Sequence, residues 1–368
     1  MGISCEIHLF KPVNGVYYSG QNVSGVIKYS VDEPMTVDKI VTSLKGIGYI
    51  AITADHGSTW ERTYKTTTSY IDVDTVIIGE KKQISVGSYE IKFRYTLPGN
   101  IPSTMKARKA FKFKSYKVKC FIKYYIRIKF ERPGVFAFNK HFRKEVDVLS
   151  KTVPTLPREP AVYTENKKLL RLFTKQDSII TINATILNSV IPMEGKIELR
   201  YEVQNNSHVV IKTTTTQLVQ GYLFKSKGHR KVIYGEAVPD TEAQTLPINC
   251  QETQNRTISI DVPSGLYNVE NTMIVARFYR VRITAQLPIP YKNVILDVPV
   301  QIGIFEENLN VNRTEVTNED INSDNLPPSY WEVMGEANEE YGVDSDDETD
   351  TTKLFKRRPH SDEESAVS

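Results

Sequence analysis

Cysteine is scarce in this sequence, with three residues among 368: Cys5, Cys120 and Cys250. Their number is odd, they are widely spaced, and no two of them form a CxxC pair. This pattern argues against a disulfide framework or a cysteine-based zinc site and fits a reducing compartment. The first residues contain no basic segment followed by a long apolar one, so we expect no secretory signal peptide.

Long apolar runs and catalytic motifs are also missing. No stretch reaches the roughly 18 apolar residues that a membrane span requires, and HExxH, GxSxG and GxxxxGK[ST] do not occur. Residues 46–51 match the dinucleotide-binding pattern GxGxxA, but a turn follows where that site needs a helix. The six histidines are scattered. We therefore expect no enzyme, no cofactor and no metal site.

The balance of charge differs between the two parts of the chain. The formal net charge is +3. Residues 306–368 carry 18 acidic and 5 basic side chains, a net charge of −13, which leaves +16 for residues 1–305. The last segment is rich in Asn, Asp, Glu and Ser and lacks the apolar residues that could offset the entropy of ordering a core. The sequence thus predicts a basic folded body with a disordered acidic tail.

Alternation with a period of two dominates residues 3–303, and residues 116–131 show it most clearly. Even positions in that segment are apolar or aromatic, whereas most odd positions are Lys, Arg or Glu. Such a pattern predicts a long antiparallel strand with one face on a core. Shorter segments of the same kind begin near Val23, Ile180 and Ile197. Because turn signals separate many strands and helices do not alternate with them, we predict an all-β fold of packed sandwiches.

Three prolines, Pro154, Pro157 and Pro160, divide the body. Proline cannot donate a hydrogen bond to a sheet, so this region is predicted to link two sandwiches. The predicted organisation is an N-terminal sandwich (1–152), a linker (153–167), a C-terminal sandwich (168–305) and the acidic tail (306–368).

Ten basic residues lie close together between positions 106 and 129. One interpretation is an ordinary solvated sheet face. The other is a surface that binds phosphorylated peptides or anionic lipid headgroups, which charge attracts and salt weakens. Nucleic acid is not expected, because no binding module is recognisable. The residues predicted to bind an anion or a membrane surface are Lys112, Lys114, Lys117, Lys119, Lys123 and Arg127.

The tail contains one sharp motif, the PPxY sequence formed by Pro327, Pro328, Ser329 and Tyr330. Adjacent prolines favour a polyproline II helix with three residues per turn, so Pro327 and Tyr330 project on the same side. WW domains bind such prolines in an aromatic groove beside a pocket for the tyrosine. The motif therefore predicts a WW-domain partner. Residues 330–333 also fit YxxΦ, a signal that clathrin adaptors recognise, and a purely solubilising tail is the third interpretation.

Several short segments occur in a characteristic order: residues 19–26 (SGQNVSGV), 44–46 (LKG), Trp60, 97–103 (LPGNIPS), 132–133 (RP), 285–288 (AQLP) and 299–303 (PVQIG), followed by the PPxY motif. In this order they resemble the α-arrestins, the arrestin-domain-containing proteins. The resemblance covers roughly residues 3–303. Many relatives carry two PPxY motifs, whereas this chain has one, and the usual PGE turn reads Ser19, Gly20, Gln21.

The resemblance implies two immunoglobulin-like β-sandwiches in tandem, as in the arrestin fold. It further implies an adaptor at the cytoplasmic side of the plasma membrane and endosomes that brings WW-domain HECT-type ubiquitin ligases to membrane-protein cargo. Pro327, Pro328 and Tyr330 would then bind the ligase. The alternatives within the same fold are a retromer-like scaffold subunit and an arrestin that binds phosphorylated receptors.

Overall fold

The computed structural model describes residues 2–12, 15–54, 62–106, 110–113, 116–134, 139–169, 178–227 and 229–305. Within these ranges all regular structure is β-strand, which confirms the predicted all-β fold class. Among the described residues there is no helix that is long and apolar enough to cross a membrane. Met1–Val316 belong to one compact unit, and the second unit, Thr317–Ser368, lies outside the described residues together with Pro327, Pro328, Tyr330 and the predicted acidic tail.

The first half of the compact unit contains twelve strands in its described part. In chain order they are β1 (Ile3–Leu9), β2 (Tyr17–Tyr18), β3 (Asn22–Val31), β4 (Met35–Val37), β5 (Lys39–Ala54), β6 (Arg62–Ile78), β7 (Lys82–Ile84), β8 (Gly87–Thr96), β9 (Phe111–Phe113), β10 (Tyr116–Glu131), β11 (Lys140–Val146) and β12 (Val148–Leu149).

These strands form a sandwich of two main sheets. One sheet has the order β1-β3-β8, and the other has the order β11-β10-β5-β6 with β9 paired to β10. The pairs β2–β12 and β4–β7 complete the half. A buried cluster fills the space between the sheets, with Ile27 and Tyr29 from β3 facing Ile122 and Phe130 from β10. All four main pairings of the larger sheet are antiparallel.

The second half contains ten strands among the described residues. They are β13 (Ala161–Leu169), β14 (Ser178–Ile186), β15 (Val190–Pro192), β16 (Lys196–Asn206), β17 (Thr213–Ser226), β18 (His229–Ala237), β19 (Ala243–Gln244), β20 (Glu252–Asp261), β21 (Val275–Gln286) and β22 (Val294–Gly303). One sheet has the order β13-β14-β16-β20 and the other the order β15-β22-β21-β17-β18, with β19 beside β17. A second buried cluster lies between them. The two-sandwich architecture is confirmed.

The strand predicted for residues 116–131 is β10, Tyr116–Glu131, with the predicted bounds. Its even positions from Val118 to Phe130 are buried, as the alternation indicates. Residues 161–167 of the segment predicted as a linker belong instead to β13, which pairs with β14. Pro160 is the last proline before that strand, so the irregular connection is shorter than the composition indicated. The exact domain boundaries stay a prediction.

Contacts between the halves are both apolar and polar. The ring of Phe111 lies 4.8 Å from that of Tyr222 and 5.0 Å from that of Phe224. The hydroxyl of Tyr70 is 2.7 Å from that of Thr272. Gly48 makes this approach possible, because a Cβ there would lie 2.7 Å from the Tyr70 ring and 2.8 Å from Ile274. The glycines that match GxGxxA therefore lie inside a strand, where Gly48 permits packing between halves.

The edge strand β6 contains two irregularities in its pairing with β5. Lys45 pairs with Asp72 and Gly46 with Ile71, but Ile47 pairs with Ser69, so one residue of β6 is extra at this point. This is a β-bulge, in which two residues of one strand oppose one of the other. A second shift lies between Ile40 and Val41.

Candidate functional site

The outer face of the larger N-terminal sheet contains most of the residues predicted to bind an anion. Odd-numbered residues of β10 point to this face, because even ones are in the core. Lys117 and Lys119 are exposed, whereas Lys123 and Arg127 are half-buried. Lys112 is exposed on β9, directly opposite Lys117. Lys114 lies outside the described residues.

Cations at one end of this face have carboxylate partners. We call this the ion-paired end; its residues are Ser43, Lys45, Asp72, Asp74, Lys123, Arg127 and Glu145. The Lys45 ammonium is 2.6 Å from Asp74 and also binds Asp72, and Lys123 lies 2.8 Å from Glu145. Arg127 Nη2 donates to Ser43 Oγ at 3.2 Å and is 3.8 Å from Asp74.

The pKa values of this end reflect the pairing. Burial lowers the pKa of Lys45, but hydrogen bonds to Asp72 and Asp74 outweigh that effect and raise it above its ordinary 10.5. The hydrogen bond from Lys45 is also the main cause that lowers the pKa of Asp74 below its ordinary 3.8. Both groups are held in their charged forms, so their charges largely cancel.

The opposite end of the face is different. Lys119 and Lys65 both pair with Ala51 on β5, one from each side, so both point outward. Lys117 lies opposite Lys112 and two residues from Lys119. Lys117 is therefore about 5 Å from Lys112 across one strand spacing and about 7 Å from Lys119 along β10, whereas Lys65 is two strand spacings from Lys119. We call Lys65, Lys112, Lys117 and Lys119 the lysine cluster.

The lysine cluster forms no ion pair with any residue that the structure describes. The strand segments that build it, Phe111–Phe113 and residues 116–120, 50–54 and 62–66, contain no Asp or Glu. Hydroxyl groups lie among the lysines, since Thr53 pairs with Thr63 at an Oγ1–Oγ1 distance of 3.0 Å. Cations with neighbouring hydroxyl donors are suited to phosphate oxygens. The stacked rings of Tyr49 and Phe121, 5.3 Å apart, mark the boundary with the ion-paired end.

Lys65 was missed by the sequence reasoning. It is separated from Lys119 by more than fifty positions, and only the register of β5 with β6 and β10 brings the two side chains to the same face. The alternate polar residues Lys65, Thr67 and Ser69 weakly indicate a strand with one outward face, but they do not reveal which strand lies beside it. Within the described ranges, no group of three or more His, Cys, Asp or Glu side chains is arranged to hold a metal ion.

Residues 288–291 (PIPY) are similar to the tail motif but lack its adjacent prolines. The structure places this segment in the connection between β21 and β22. The Tyr291 hydroxyl is 3.0 Å from His208 Nε2, and the tyrosine packs against the second core. A tyrosine held in this way is not free to enter a WW-domain pocket.

Two family models match the chain. The model of the arrestin (or S-antigen) N-terminal domain matches residues 5–153, and that of the arrestin (or S-antigen) C-terminal domain matches residues 176–306. A comparison with curated proteins found no match. The first range covers the N-terminal sandwich except the start of β1, and the second covers β14 to β22 of the C-terminal sandwich but not β13.

Proposed function

Because the chain belongs to the arrestin family, whose members act as adaptors in trafficking and bind cargo receptors, we propose that it is an α-arrestin that recruits WW-domain HECT-type ubiquitin ligases to membrane-protein cargo. Ubiquitination would then direct the cargo into endocytosis and endosomal sorting. On this proposal the protein is not an enzyme; it acts by bringing two partners together at the cytoplasmic face of the plasma membrane and endosomes.

The order of the domains and the tail motif carries this proposal. The second of the two arrestin-domain matches ends at residue 306, and the PPxY motif follows at residues 327–330. A polyproline II ligand is preorganised, so little conformational entropy is lost when it binds. One short motif nevertheless supports only an affinity of about 1 μM or weaker. The sandwiches must therefore add contacts with cargo or membrane.

The lysine cluster supports a role for the membrane in those contacts. Each basic residue near an anionic bilayer contributes about 1 kcal/mol. Four lysines that form no ion pair with any described residue lie on an exposed sheet face and can approach a surface together, which a narrow cleft would prevent. We therefore include anionic lipid headgroups among the partners that this face binds.

A pulldown with immobilised tandem WW domains tests the ligase part of the proposal. Tyr330→Ala should reduce recovery at least tenfold, because the aromatic ring that fills the WW pocket is removed. Tyr341→Ala is the matched control, since it removes a tail tyrosine without preceding prolines and should leave recovery unchanged. Equal recovery of wild type and Tyr330→Ala would contradict the proposal.

The lysine cluster also suits a second candidate function, an arrestin that binds phosphorylated receptor tails. A phosphate monoester needs cations and hydroxyl donors, and Lys117, Lys119 and Thr53 offer both. The two functions differ in their dependence on the tail. Phosphate-dependent binding of receptor peptides that persists in Tyr330→Ala, without any WW-domain binding by wild type, would favour the second. A constitutive stoichiometric complex on purification would instead favour a retromer-like scaffold.

A further inference from the structure

A cleft of about 390 Å³ lies between the two sandwiches. Met105 and Val148 line it from the first half of the chain, and Met193 and Tyr222 line it from the second. A volume of about 300–1,000 Å³, mostly apolar walls and a few polar groups are typical of small-molecule sites. This cleft has the size and the lining of such a site.

One cation in the wall of this cleft is buried without a counter-ion among the residues that the structure describes. Arg277, on β21, is 7% exposed. Its Nε donates to the carbonyl oxygen of Tyr267 at 2.8 Å, and its guanidinium lies 4.2 Å from the centre of the Tyr267 ring. Its Nη2 has no hydrogen-bond partner in the described part of the chain. A buried charge with an unused donor is costly, and buried cations are normally paired.

The nearby carboxylates are already engaged. Asp147, at the rim of the cleft, is 3.0 Å from Lys106. Glu270 follows Val269, which is bridged to Arg277, but its Oε1 accepts from Asn268 Nδ2 at 3.1 Å and from Gln301 Nε2 at 2.9 Å. The positive charge of Arg277 is thus not compensated by any described side chain.

We propose that the cleft binds a small amphipathic acid, a molecule with one anionic group and an apolar or aromatic body. The negative charge of the anionic group would lie beside the Arg277 guanidinium, and the body would pack against Met105, Met193 and Tyr222. One uncompensated guanidinium matches one negative charge. A dianion such as a phosphate monoester would leave a surplus charge among apolar walls, which is unfavourable.

Such a ligand would contact both sandwiches at once. Thr104 accepts a hydrogen bond from the Tyr267 hydroxyl at 2.9 Å, so the cleft adjoins a direct contact between the halves. A molecule that binds only when both walls are in place stabilises that arrangement by mass action. The site therefore also gives a metabolite a means of stabilising the arrangement of the two sandwiches, a role that neither the PPxY motif nor the lysine cluster provides.

A pair of fluorescent probes tests the proposal on the full chain. 8-Anilinonaphthalene-1-sulfonate carries a sulfonate on an aromatic body, and N-phenyl-1-naphthylamine has a similar body without the charge. The wild-type protein should bind the sulfonate probe more tightly than the neutral probe. Arg277→Met should weaken sulfonate binding by about tenfold to a hundredfold, since the positive charge that compensates the sulfonate is lost. Binding of the neutral probe should not change. Methionine keeps much of the side-chain volume and removes an unpaired buried charge, so this variant is expected to fold.

Val16→Trp provides a second variant that leaves Arg277 in place. Val16 is half-buried in the cleft wall, and a tryptophan there should fill the space and weaken binding of both probes. A thermal melt of each variant without probe checks folding. Unchanged sulfonate affinity in a folded Arg277→Met variant would overturn the proposal. If Arg277→Met does not fold, unchanged sulfonate affinity in Val16→Trp overturns it, and so does equal affinity of wild type for the two probes.

Discussion

The two ends of one sheet face differ in how their positive charges are compensated. At the ion-paired end, Lys45 lies between Asp72 and Asp74 and is 12% exposed. At the lysine cluster, Lys112 and Lys117 are directly opposite one another, an arrangement that destabilises a sheet. Strand β10 contributes two cations to each end, Lys117 and Lys119 to the lysine cluster and Lys123 and Arg127 to the ion-paired end. The difference shows that neighbours across the sheet, rather than charges along a strand, determine where a positive potential remains.

The two ends have different roles, which the sequence alone does not distinguish. Charge pairs at the ion-paired end contribute to the stability of the fold. The lysine cluster contributes little stability, because its charges repel each other, and what it offers is a field that attracts anions. Substitutions at the two ends should therefore change different measurements, and the following predictions run from the largest expected effect to the smallest.

Reversing the charge of the lysine cluster should remove membrane binding. With Lys112, Lys117 and Lys119 all replaced by Glu, affinity for phosphatidylserine-containing vesicles should fall by roughly a hundredfold or more, since each lysine contributes about 1 kcal/mol. Co-sedimentation measures the change. The matched control is Lys28→Glu with Lys92→Glu and Arg94→Glu, three exposed basic residues on β3 and β8 of the other sheet, which changes the net charge by the same amount. Equal losses in both variants would mean that net charge alone governs binding.

Removing the carboxylate partners of the cations at the ion-paired end should instead raise the affinity for anionic vesicles. Asp72→Asn with Asp74→Asn keeps side-chain shape and removes two negative charges that neutralise Lys45 and Arg127. Vesicle affinity should rise by roughly threefold to tenfold, less than two exposed lysines would give because both cations are partly covered. Addition of salt to about 0.5 M should abolish the gain. An unchanged affinity would show that this end does not contact the membrane.

Removing the central cation should lower stability. Lys45→Met leaves Asp72 and Asp74 without their shared partner, and the free energy of unfolding should fall by about 1 kcal/mol, discounted because both carboxylates are more than half exposed. Urea denaturation measures the loss. Lys119→Met is the control, and it should leave stability unchanged or slightly higher because one repulsive charge is removed.

Acid should weaken the ion-paired end before any effect appears at the lysine cluster. The pKa of Asp74 is lowered in the folded state, so its contribution to stability is present above its ordinary value of 3.8 and is lost as pH falls through the folded pKa. Melting temperature recorded from pH 6 to pH 3 should fall less steeply in Asp74→Asn than in wild type. Because Asp74 is half exposed, the expected difference is small, and parallel curves would refute the assignment.

Much of the fold could be read from the sequence, since alternation is a local property. Strand β10 has its predicted bounds because sixteen consecutive residues obey one period. The positions of Lys65, Asp72 and Asp74 relative to β10 could not be predicted. They depend on which strands are neighbours and in what register, and β5 intervenes between β6 and β10. Arg277 was missed for the same reason, because burial and the lack of a partner are properties of the packed state.

The β-bulge in β6 has a consequence for how this surface can evolve. Ser69, Thr67 and Lys65 point outward on one side of it, whereas Asp72 and Asp74 point outward on the other, so the outward positions change from odd to even. With one residue fewer, Ile71, which is buried here, would face solvent, and both aspartates would turn to the inner face of the sheet. Deleting a single residue at the bulge would thus move the odd-numbered and even-numbered side chains of this part of β6 to opposite faces of the sheet. Point substitutions adjust the strength of the two ends, but the length of β6 decides that there are two.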